Sequence, residues 1–376
     1  MANTIRTAAA RAYHGPMVTG DSAAALEAEG SRELGKGTWA GNEMAVDLFE
    51  RAIAVDPVFV SAYIGLTRAY VQRARQLGLG QRWLDPAITS GEKAVELDPS
   101  RGDAYLALAG AYRNKGTLSK ELELWQRRGH LQPNDPEATE RVGWILWFTG
   151  RAKEALPWLQ KTIAQRPDGE WGQFYLGNAY LALRNYPEAE RMYRRMLALN
   201  PDHSSAQAGV IWSLLAAGKD EEARVLLGTF QASPLDGDRY FVKLADLEYF
   251  LGEDEMALAH GRKGLAEEPA ERYWPRGFTP GTIVGALLWS TERHAAEDAL
   301  RRSEKIDRDR LDGGDEGYMP HIDLAAVSAI RGEVRAACQS IRSAIAAGWR
   351  YQSLAVRDPL FTALRSDDEF QLIMAD

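Results

Sequence analysis

Histidine is the side chain in this sequence best suited to chemistry, because an imidazole can act as a general base or as a metal ligand. No two of the six histidines stand three or four residues apart, the spacing that places two metal ligands on one face of a helix. Isolated histidines are more typical of solvated or capping side chains. The sequence therefore predicts no metal site among them. The six are His14, His130, His203, His260, His294 and His321.

Cysteine and glycine patterns give no stronger signal for catalysis. Cys338 is the only cysteine, which excludes a disulfide framework, and its place between Ala337 and Ile341 is typical of a buried, unreactive thiol. Gly78 and Gly80 form a Gly-x-Gly stretch that lacks the third glycine and the preceding strand of a dinucleotide site. The sequence has neither a P-loop lysine motif nor a Gly-x-Ser-x-Gly elbow. We therefore predict that the chain is not an enzyme and has no catalytic residues, metal or cofactor.

The composition narrows the classes of partner. The chain has 376 residues and a mean hydropathy of -0.36, and 45 lysines and arginines against 53 aspartates and glutamates give a net charge of -8. This acidity argues against nucleic acid as a partner, because phosphate binding depends on Lys and Arg. No run approaches the roughly 18 apolar residues that cross a bilayer, and the N-terminus lacks the apolar core of a secretion signal. We expect a cytoplasmic protein without membrane insertion.

The elements that would position functional residues repeat along the chain. Seven prolines follow amphipathic stretches at separations of 42, 34, 34, 34, 33 and 35 residues, and the long interval contains an insertion around residues 76–82. Within each period large residues recur every three to four positions, which indicates one face of a helix. Glycines then end the first helix of a unit at matched positions. The prolines are Pro57, Pro99, Pro133, Pro167, Pro201, Pro234 and Pro269, and the glycines are Gly116, Gly150, Gly218 and Gly252.

This pattern resembles the tetratricopeptide (TPR) repeat, a helix–turn–helix unit of about 34 residues. The best unit, residues 170–201, carries a small Ala189 opposite a bulky Tyr193, so that its two helices can pack closely. The resemblance is clear over residues 26–269. The C-terminal segment resembles the end of the TPR regions that bacteria fuse to cyclases, kinases or winged-helix regulators, and no effector domain is expected in this chain.

The resemblance implies an all-α fold, a right-handed α–α superhelix (TPR solenoid) of about eight or nine helical hairpins. We expect residues 1–24 to form a tail or a short helix, residues 25–347 to form the repeat array, and residues 348–376 to cap its exposed end. In the third unit Glu121 and Arg128 replace small residues, so this hairpin is expected to pack loosely or against a neighbour. Because a repeat stack has two exposed ends, homo-oligomerisation through the terminal repeats stays open.

The concave face of such a superhelix is the expected binding site, and aromatic residues recur there in three successive units. The first helix of each unit alternates core positions with positions that face this groove. Large exposed aromatic surfaces tend to mark partner sites. Arg141, Asn178 and Lys243 would add polar contacts that fix the register of a ligand. The aromatic members are Trp144, Trp147, Trp171, Tyr175 and Trp212.

The family resemblance qualifies two of these positions. The aromatic stripe is also consistent with a core between repeats, so the sequence leaves groove and core open as alternatives. Peptide-binding TPR proteins often have an asparagine at the position of Asn178, where the resemblance implies a contact with the ligand backbone. Their carboxylate clamp needs a lysine where Phe174 stands, so binding of chaperone C-termini is not expected.

Two functional hypotheses follow. The leading one is a non-catalytic interaction scaffold that binds a peptide or a partner protein in the aromatic groove, where each large apolar ligand side chain would contribute about 1.5–3 kcal/mol on burial. The alternative is a regulatory or sensory subunit whose superhelix changes its winding when it binds a small effector or a peptide. A ligand-dependent change in molecular dimensions distinguishes the two.

Overall fold

The chain folds into two compact units, Met1–Asn114 and Lys115–Asp376. A computed structural model gives their architecture, and the residues it describes are 22–75, 81–230, 239–266 and 277–375. Over that part of the chain every regular element is a helix. The predicted N-terminal segment of residues 1–24 and the predicted insertion lie largely outside the described residues. The boundary between the units falls inside the predicted array of residues 25–347, and that predicted division stays a prediction.

The first unit consists of helical hairpins. Helices α1 and α2 form one hairpin and α3 and α4 form the next, and α2 also packs on α3. Buried Ile64 of α3 and Ala94 of α4 meet Ala104 and Ala107 of α5, so a small-residue face of α5 closes this stack. The helices are α1 Ala23–Gly35, α2 Trp39–Val55, α3 Val60–Arg75, α4 Leu84–Leu97 and α5 Gly102–Lys115, with a 3₁₀ turn Gln81–Trp83 before α4.

The second unit continues the pattern with a lone helix, six hairpins and a C-terminal segment. Each hairpin packs on its sequence neighbours. The helices are α6 Leu118–Leu131, α7 Pro136–Phe148, α8 Ala152–Gln165, α9 Glu170–Ala182, α10 Tyr186–Leu199, α11 Ser204–Ala216, α12 Asp220–Leu227, α13 Arg239–Leu251, α14 Asp254–Ala266, α15 Pro280–Leu288, α16 Arg293–Asp312, α17 Met319–Arg331, α18 Val334–Ala346, α19 Gln352–Ala355 and α20 Asp368–Ala375, with a 3₁₀ segment Pro359–Leu364 between the last two.

The repeat pattern sets the packing between hairpins. Tyr193 of α10 is fully buried, and a Cβ added at Gly177 of α9 or at Gly209 of α11 would lie 2.7 or 2.6 Å from its ring. The ring therefore fits between two first helices only because both carry glycine there. Ala189, one turn earlier on α10, is also fully buried. These contacts confirm the predicted small-against-large packing of a TPR solenoid.

The two unusual residues of the predicted third unit are accommodated by specific partners. Glu121 is buried and accepts a hydrogen bond from the indole Nε1 of Trp125, 3.2 Å away. Arg128 pairs with Asp135 at 2.6 Å, and its guanidinium lies 5.6 Å from the centre of the Trp125 ring. These contacts lie within α6 and the turn that follows it, so whether the hairpin packs loosely or against a neighbour stays a prediction.

The C-terminal segment is built on the last hairpin. Phe361 of the 3₁₀ segment is fully buried and its ring packs edge-on to Phe278 and against Phe370. The segment begins with a short helix, Gln352–Ala355, and continues as a 3₁₀ segment and a second helix; its role as a cap stays a prediction. None of the described helices combines the length and the hydropathy that a membrane crossing requires.

Candidate partner-binding surface

The first helices of four successive hairpins carry all of the predicted binding residues. Helix α7 has Arg141, Trp144 and Trp147; α9 has Trp171, Tyr175 and Asn178; α11 has Trp212 and α13 has Lys243. The start of α7 is fixed by Pro136 in its first turn and by Asp135, whose carboxylate accepts a hydrogen bond from the backbone N–H of Glu137 at 3.0 Å. The hairpin stack therefore holds these side chains on rigid elements.

Half of the predicted residues are interior. Trp147, Asn178, Trp212 and Lys243 are all buried in the chain on its own. The carbonyl oxygen Oδ1 of Asn178 accepts a hydrogen bond from the hydroxyl of Tyr193 at 2.5 Å. This asparagine thus joins the two helices of its own hairpin.

Trp212 and Lys243 have internal contacts of the same kind. The Trp212 ring meets the edge of Phe250 with ring centres 5.3 Å apart. The ammonium Nζ of Lys243 donates to the hydroxyl of Ser204 at 2.5 Å and lies 3.3 Å from that of Ser205. Both side chains connect α11 to α13. Of the two alternatives that the sequence left open, groove and core between repeats, their surroundings correspond to the core.

The other four predicted residues keep accessible surface. Arg141, Trp144 and Tyr175 are half-buried, and Trp171 is 47% exposed. The guanidinium of Arg141 lies 5.6 Å from the centre of the Trp144 ring, in cation–π geometry. These residues lie on α7 and α9, so the accessible part of the predicted stripe spans two adjacent hairpins.

The accessible and the buried aromatic residues form one continuous series of rings. Trp171 stacks on Tyr175 at 5.8 Å between ring centres, and Tyr175 stacks on Trp147 at 6.1 Å. Trp147 meets the edge of Phe148 at 6.0 Å, and Phe148 stacks on Trp144 at 5.5 Å. We call these five residues the aromatic ladder. Because Trp171 stacks on Tyr175, the neighbouring ring restrains its exposed side chain.

A partly buried carboxylate lies beside the ladder. Burial raises the pKa of Glu140 above its usual value, and the nearby guanidinium groups of Arg141 and Arg166 oppose that rise. Glu140 is one helical turn before Trp144, so the two side chains lie on the same face of α7. The surroundings of the ladder are therefore of mixed charge rather than uniformly acidic, in spite of the net charge of the chain.

The C-terminal segment contacts Trp147, the middle ring of the ladder. The hydroxyl of Tyr351 accepts a hydrogen bond from the indole Nε1 of Trp147 at 3.2 Å, and the ring of Tyr318 lies 5.1 Å from that of Phe148. Gly348 lies against the backbone of Thr149, so close that an added Cβ would be 2.4 Å from its carbonyl carbon. Trp147 is therefore covered by another segment of the same chain.

This covering segment continues along the turns between first and second helices. The hydroxyl of Tyr186 donates to that of Ser353 at 3.1 Å. The guanidinium of Arg357 donates to both carboxylate oxygens of Asp220, at 2.6 and 2.5 Å, and to the carbonyl of Leu215. We call residues 349–357 the strap, and the surface formed by Trp147, Tyr186, Leu215 and Asp220 the strap-docking face.

Sequence reasoning did not find the strap. Its contacts join residues 204, 167 and 137 positions apart, which no local periodicity reports. The available signal was compositional: Trp349 and Tyr351 are two large aromatics directly after the last regular hairpin. A segment that ends a repeat array is expected to be polar on its outer side, so buried aromatics there indicate a further contact.

One group of potential metal ligands occurs among the described residues. Atoms of Cys338, Asp367 and Glu369 lie within 4.8 Å of one another. Asp367 is already engaged, because its Oδ1 accepts from the backbone N–H of Phe370 at 3.0 Å, and Glu369 pairs with Arg342 at 2.5 Å. Burial and the two carboxylates raise the pKa of the thiol to about 11. Both carboxylates of this group are therefore already engaged by other groups of the chain.

Known proteins match this chain through its repeats. A family model described as tetratricopeptide repeat matches residues 146–208 and 180–241. The human protein O-mannosyl-transferase TMTC3 is 26% identical over 215 residues, which are 53% of this chain and 23% of that protein. Superkiller protein 3 of Schizosaccharomyces pombe is 23% identical over 189 residues, 48% of this chain and 13% of that protein. The chain therefore spans less than a quarter of either relative.

A solved structure supports the fold. The crystal structure of a tetratricopeptide repeat protein from Parabacteroides merdae superposes with a TM-score of 0.55, at 17% identity, over 67% of this chain and 95% of that one. At this identity the likeness concerns the backbone arrangement alone. It agrees with the stacking of helical hairpins.

Proposed function

Because this chain is a tetratricopeptide repeat protein, we propose that it is a non-catalytic interaction scaffold which binds a peptide or a partner protein at the accessible part of the aromatic ladder. The observation that carries the proposal is Trp171. It is the outermost ring of the ladder, and its side chain is 47% exposed although four further aromatic rings hold it in place.

The chemistry of this surface favours a ligand with large apolar side chains. Trp171, Trp144 and Tyr175 would cover a ligand aromatic or aliphatic group, and aromatic anchors of this kind dominate binding at protein interfaces. Arg141 would supply hydrogen-bond donors to a ligand carboxylate or backbone carbonyl. The four buried residues would act from behind this surface. Asn178 joins α9 to α10, and Trp147 stacks on Tyr175 of α9. Trp212 and Lys243 join α11 to α13.

The acidic composition supports protein rather than nucleic acid as the partner. Nucleic-acid affinity comes mainly from Lys and Arg that neutralise phosphates, and this chain has a net charge of -8. Arg141 lies over Trp144 and Glu140 is adjacent to it, so a carboxylate offsets part of the positive charge beside the ladder.

Selection from a phage-displayed peptide library tests the proposal, and the chain offers a matched control. Trp39, in the other unit, is 46% exposed and so resembles Trp171 in accessibility. We expect selected peptides to share an aromatic or large aliphatic residue and to lose about 2 kcal/mol of affinity, or more, on Trp171→Ala. Trp39→Ala should leave the affinity unchanged. Circular dichroism verifies that both variants are folded.

Peptides that bind Trp171→Ala as tightly as the unsubstituted chain would move the site away from the ladder. The same peptides also separate the scaffold from a regulatory subunit. A scaffold keeps its radius of gyration in small-angle scattering when a saturating peptide is added, whereas a subunit that changes its winding does not.

A further inference from the structure

The strap presents three side chains to the repeats at a fixed spacing. Tyr351, Ser353 and Arg357 meet Trp147, Tyr186 and Asp220 in the same order along the chain. The docking residues belong to three successive hairpins, α7–α8, α9–α10 and α11–α12. The repeats therefore recognise the strap in the way that a binding protein recognises a peptide: each hairpin contacts one ligand side chain.

We propose that the strap-docking face is a second, latent binding site. It takes segments of a partner protein that present a tyrosine, a serine two residues later and an arginine four residues after that, and the strap occupies it in cis. This proposal does not rest on the exposed end of the ladder, because its contacts are made by Trp147, Tyr186, Leu215 and Asp220.

Arginine at the last position is specified by two independent groups. The guanidinium of Arg357 donates to both carboxylate oxygens of Asp220 and also to the carbonyl of Leu215, near the C-terminus of α11. A helix C-terminus carries partial negative charge and unsatisfied carbonyls, so it favours a cation. A lysine cannot make this fork of hydrogen bonds, because its ammonium is a single point of charge.

Tyrosine at the first position is specified by both its ring and its hydroxyl. The indole of Trp147 donates to the hydroxyl of Tyr351, and the Tyr351 ring lies 6.4 Å from that of Tyr318. A phenylalanine would leave the buried indole N–H without this acceptor. The serine between this tyrosine and the arginine is specified by the hydroxyl of Tyr186, which donates a hydrogen bond to it.

The C-terminal end of the strap is held by a partly exposed ion pair, whereas Trp349, Tyr351, Leu354 and Ala355 are buried. The side chains of Arg357 and Asp220 are 35% and 43% exposed, so water and salt screen their attraction. In the strap, the indole N–H of Trp349 is buried without a hydrogen-bond partner among the described residues. The buried hydroxyl of Tyr318, next to the strap, also lacks a partner among them. A buried polar group without a partner weakens the docked state. Release therefore removes an unfavourable burial as well as favourable contacts.

The strap and a segment of a partner protein would compete for the strap-docking face, because both would use the same contacts. A tethered segment acts at a high effective concentration, so a free segment of the same sequence binds poorly while the strap is intact. Weakening the strap without altering the docking face should uncover the site. A partner segment that binds more tightly than the strap would do the same.

The test uses the full chain and a fluorescent peptide with the sequence of residues 348–358. We expect the double variant Tyr351→Ala/Arg357→Ala to bind this peptide at least about tenfold more tightly than the unsubstituted chain, because its own strap competes less. Adding Asp220→Ala to that variant should remove the gain, and a scrambled peptide should not bind. Trp171→Ala should leave peptide binding unchanged, which separates this site from the accessible part of the ladder.

Circular dichroism establishes that each variant is folded. If the double variant unfolds, Arg357→Lys takes its place, because lysine keeps the charge but has only one nitrogen for both Asp220 and the Leu215 carbonyl. A smaller gain in peptide affinity is then expected. Equal peptide affinity of the unsubstituted and the weakened chain overturns the proposal. So does a gain that persists when Asp220 is replaced by alanine.

Discussion

Arg184 adopts a left-handed backbone conformation with a φ of 60°, 34 residues after Gly150, which has a φ of 77° at the matching turn of the preceding hairpin. Gly116, Gly218 and Gly252 have φ angles of 82°, 77° and 79° at the other equivalent turns. The repeat therefore imposes the same turn on a residue that is not glycine. An L-residue with a Cβ is strained in this conformation.

We predict that Arg184→Gly stabilises the second unit slightly. Relief of left-handed strain is worth about 1–2 kcal/mol, and the greater freedom of glycine in the unfolded chain cancels about 0.4–1 kcal/mol of it. The expected gain in the free energy of unfolding is about 0.5 kcal/mol, measured by urea denaturation.

Two glycine variants measure the cost of a Cβ at equivalent turns and serve as references for Arg184→Gly. At Gly218 an added Cβ meets nothing within 4 Å, so Gly218→Ala measures the backbone strain alone. At Gly150 the added Cβ would lie 2.8 Å from the Cα of Gly348, so Gly150→Ala should cost more than Gly218→Ala. Equal losses for the two would show that the contact with Gly348 adds nothing.

Trp212 and Trp171 should respond in opposite ways to truncation. Trp212 is fully buried, and removing a buried tryptophan costs about 3–5 kcal/mol of unfolding free energy. Trp171 is exposed, and a surface substitution usually changes stability by less than about 0.5 kcal/mol. Thermal or chemical unfolding of Trp212→Ala and Trp171→Ala measures both. A Trp212→Ala variant with unchanged stability would place that side chain outside the core.

The thiol of Cys338 leads to a prediction about how the stability of the fold depends on pH. Burial, together with Glu369 and Asp367, raises the pKa of its thiol from 9.0 to about 11 in the folded chain. The folded state thus favours the protonated thiol, so the stabilisation is complete below pH 9 and is lost between about pH 9 and pH 11. Cys338→Ala should lose less stability over that interval than the unsubstituted chain. The thiol should also react slowly with iodoacetamide at pH 8 until denaturant is added.

A reaction with iodoacetamide at pH 8 as fast as in denaturant would contradict the prediction. Such a rate would mean an accessible thiol with an ordinary pKa, since the thiolate is the reactive form.

The sequence predicted the parts of the fold that depend on neighbouring repeats. The proline period located the hairpins, and Ala189 and Tyr193 were correctly placed at their interface because each repeat packs on the next. The glycine pattern located the turns, although Arg184 shows that the turn forms without glycine. These features are local, so a single period contains the information that specifies them.

The candidate site was harder to predict from the sequence than the fold was. Trp147 and Trp171 share the same helical pattern, yet one is buried and the other is half exposed. One contact of the buried Trp147 comes from Tyr351, which lies 204 positions away in the sequence. Helical periodicity specifies which way a side chain points, and it does not specify what a distant segment places in front of it.

The pairing of Glu316 with the start of α6 has a consequence for the order of folding. The carboxylate of Glu316 accepts a hydrogen bond from the backbone N–H of Ser119 at 2.8 Å, across 197 residues. At roughly 5–20 residues per second, translation would deliver this carboxylate about 10–40 s after α6 has been made. Repeat proteins ordinarily fold through contacts close in sequence. During that interval the repeats between α6 and Glu316 would begin to fold while the first turn of α6 still lacks this hydrogen bond.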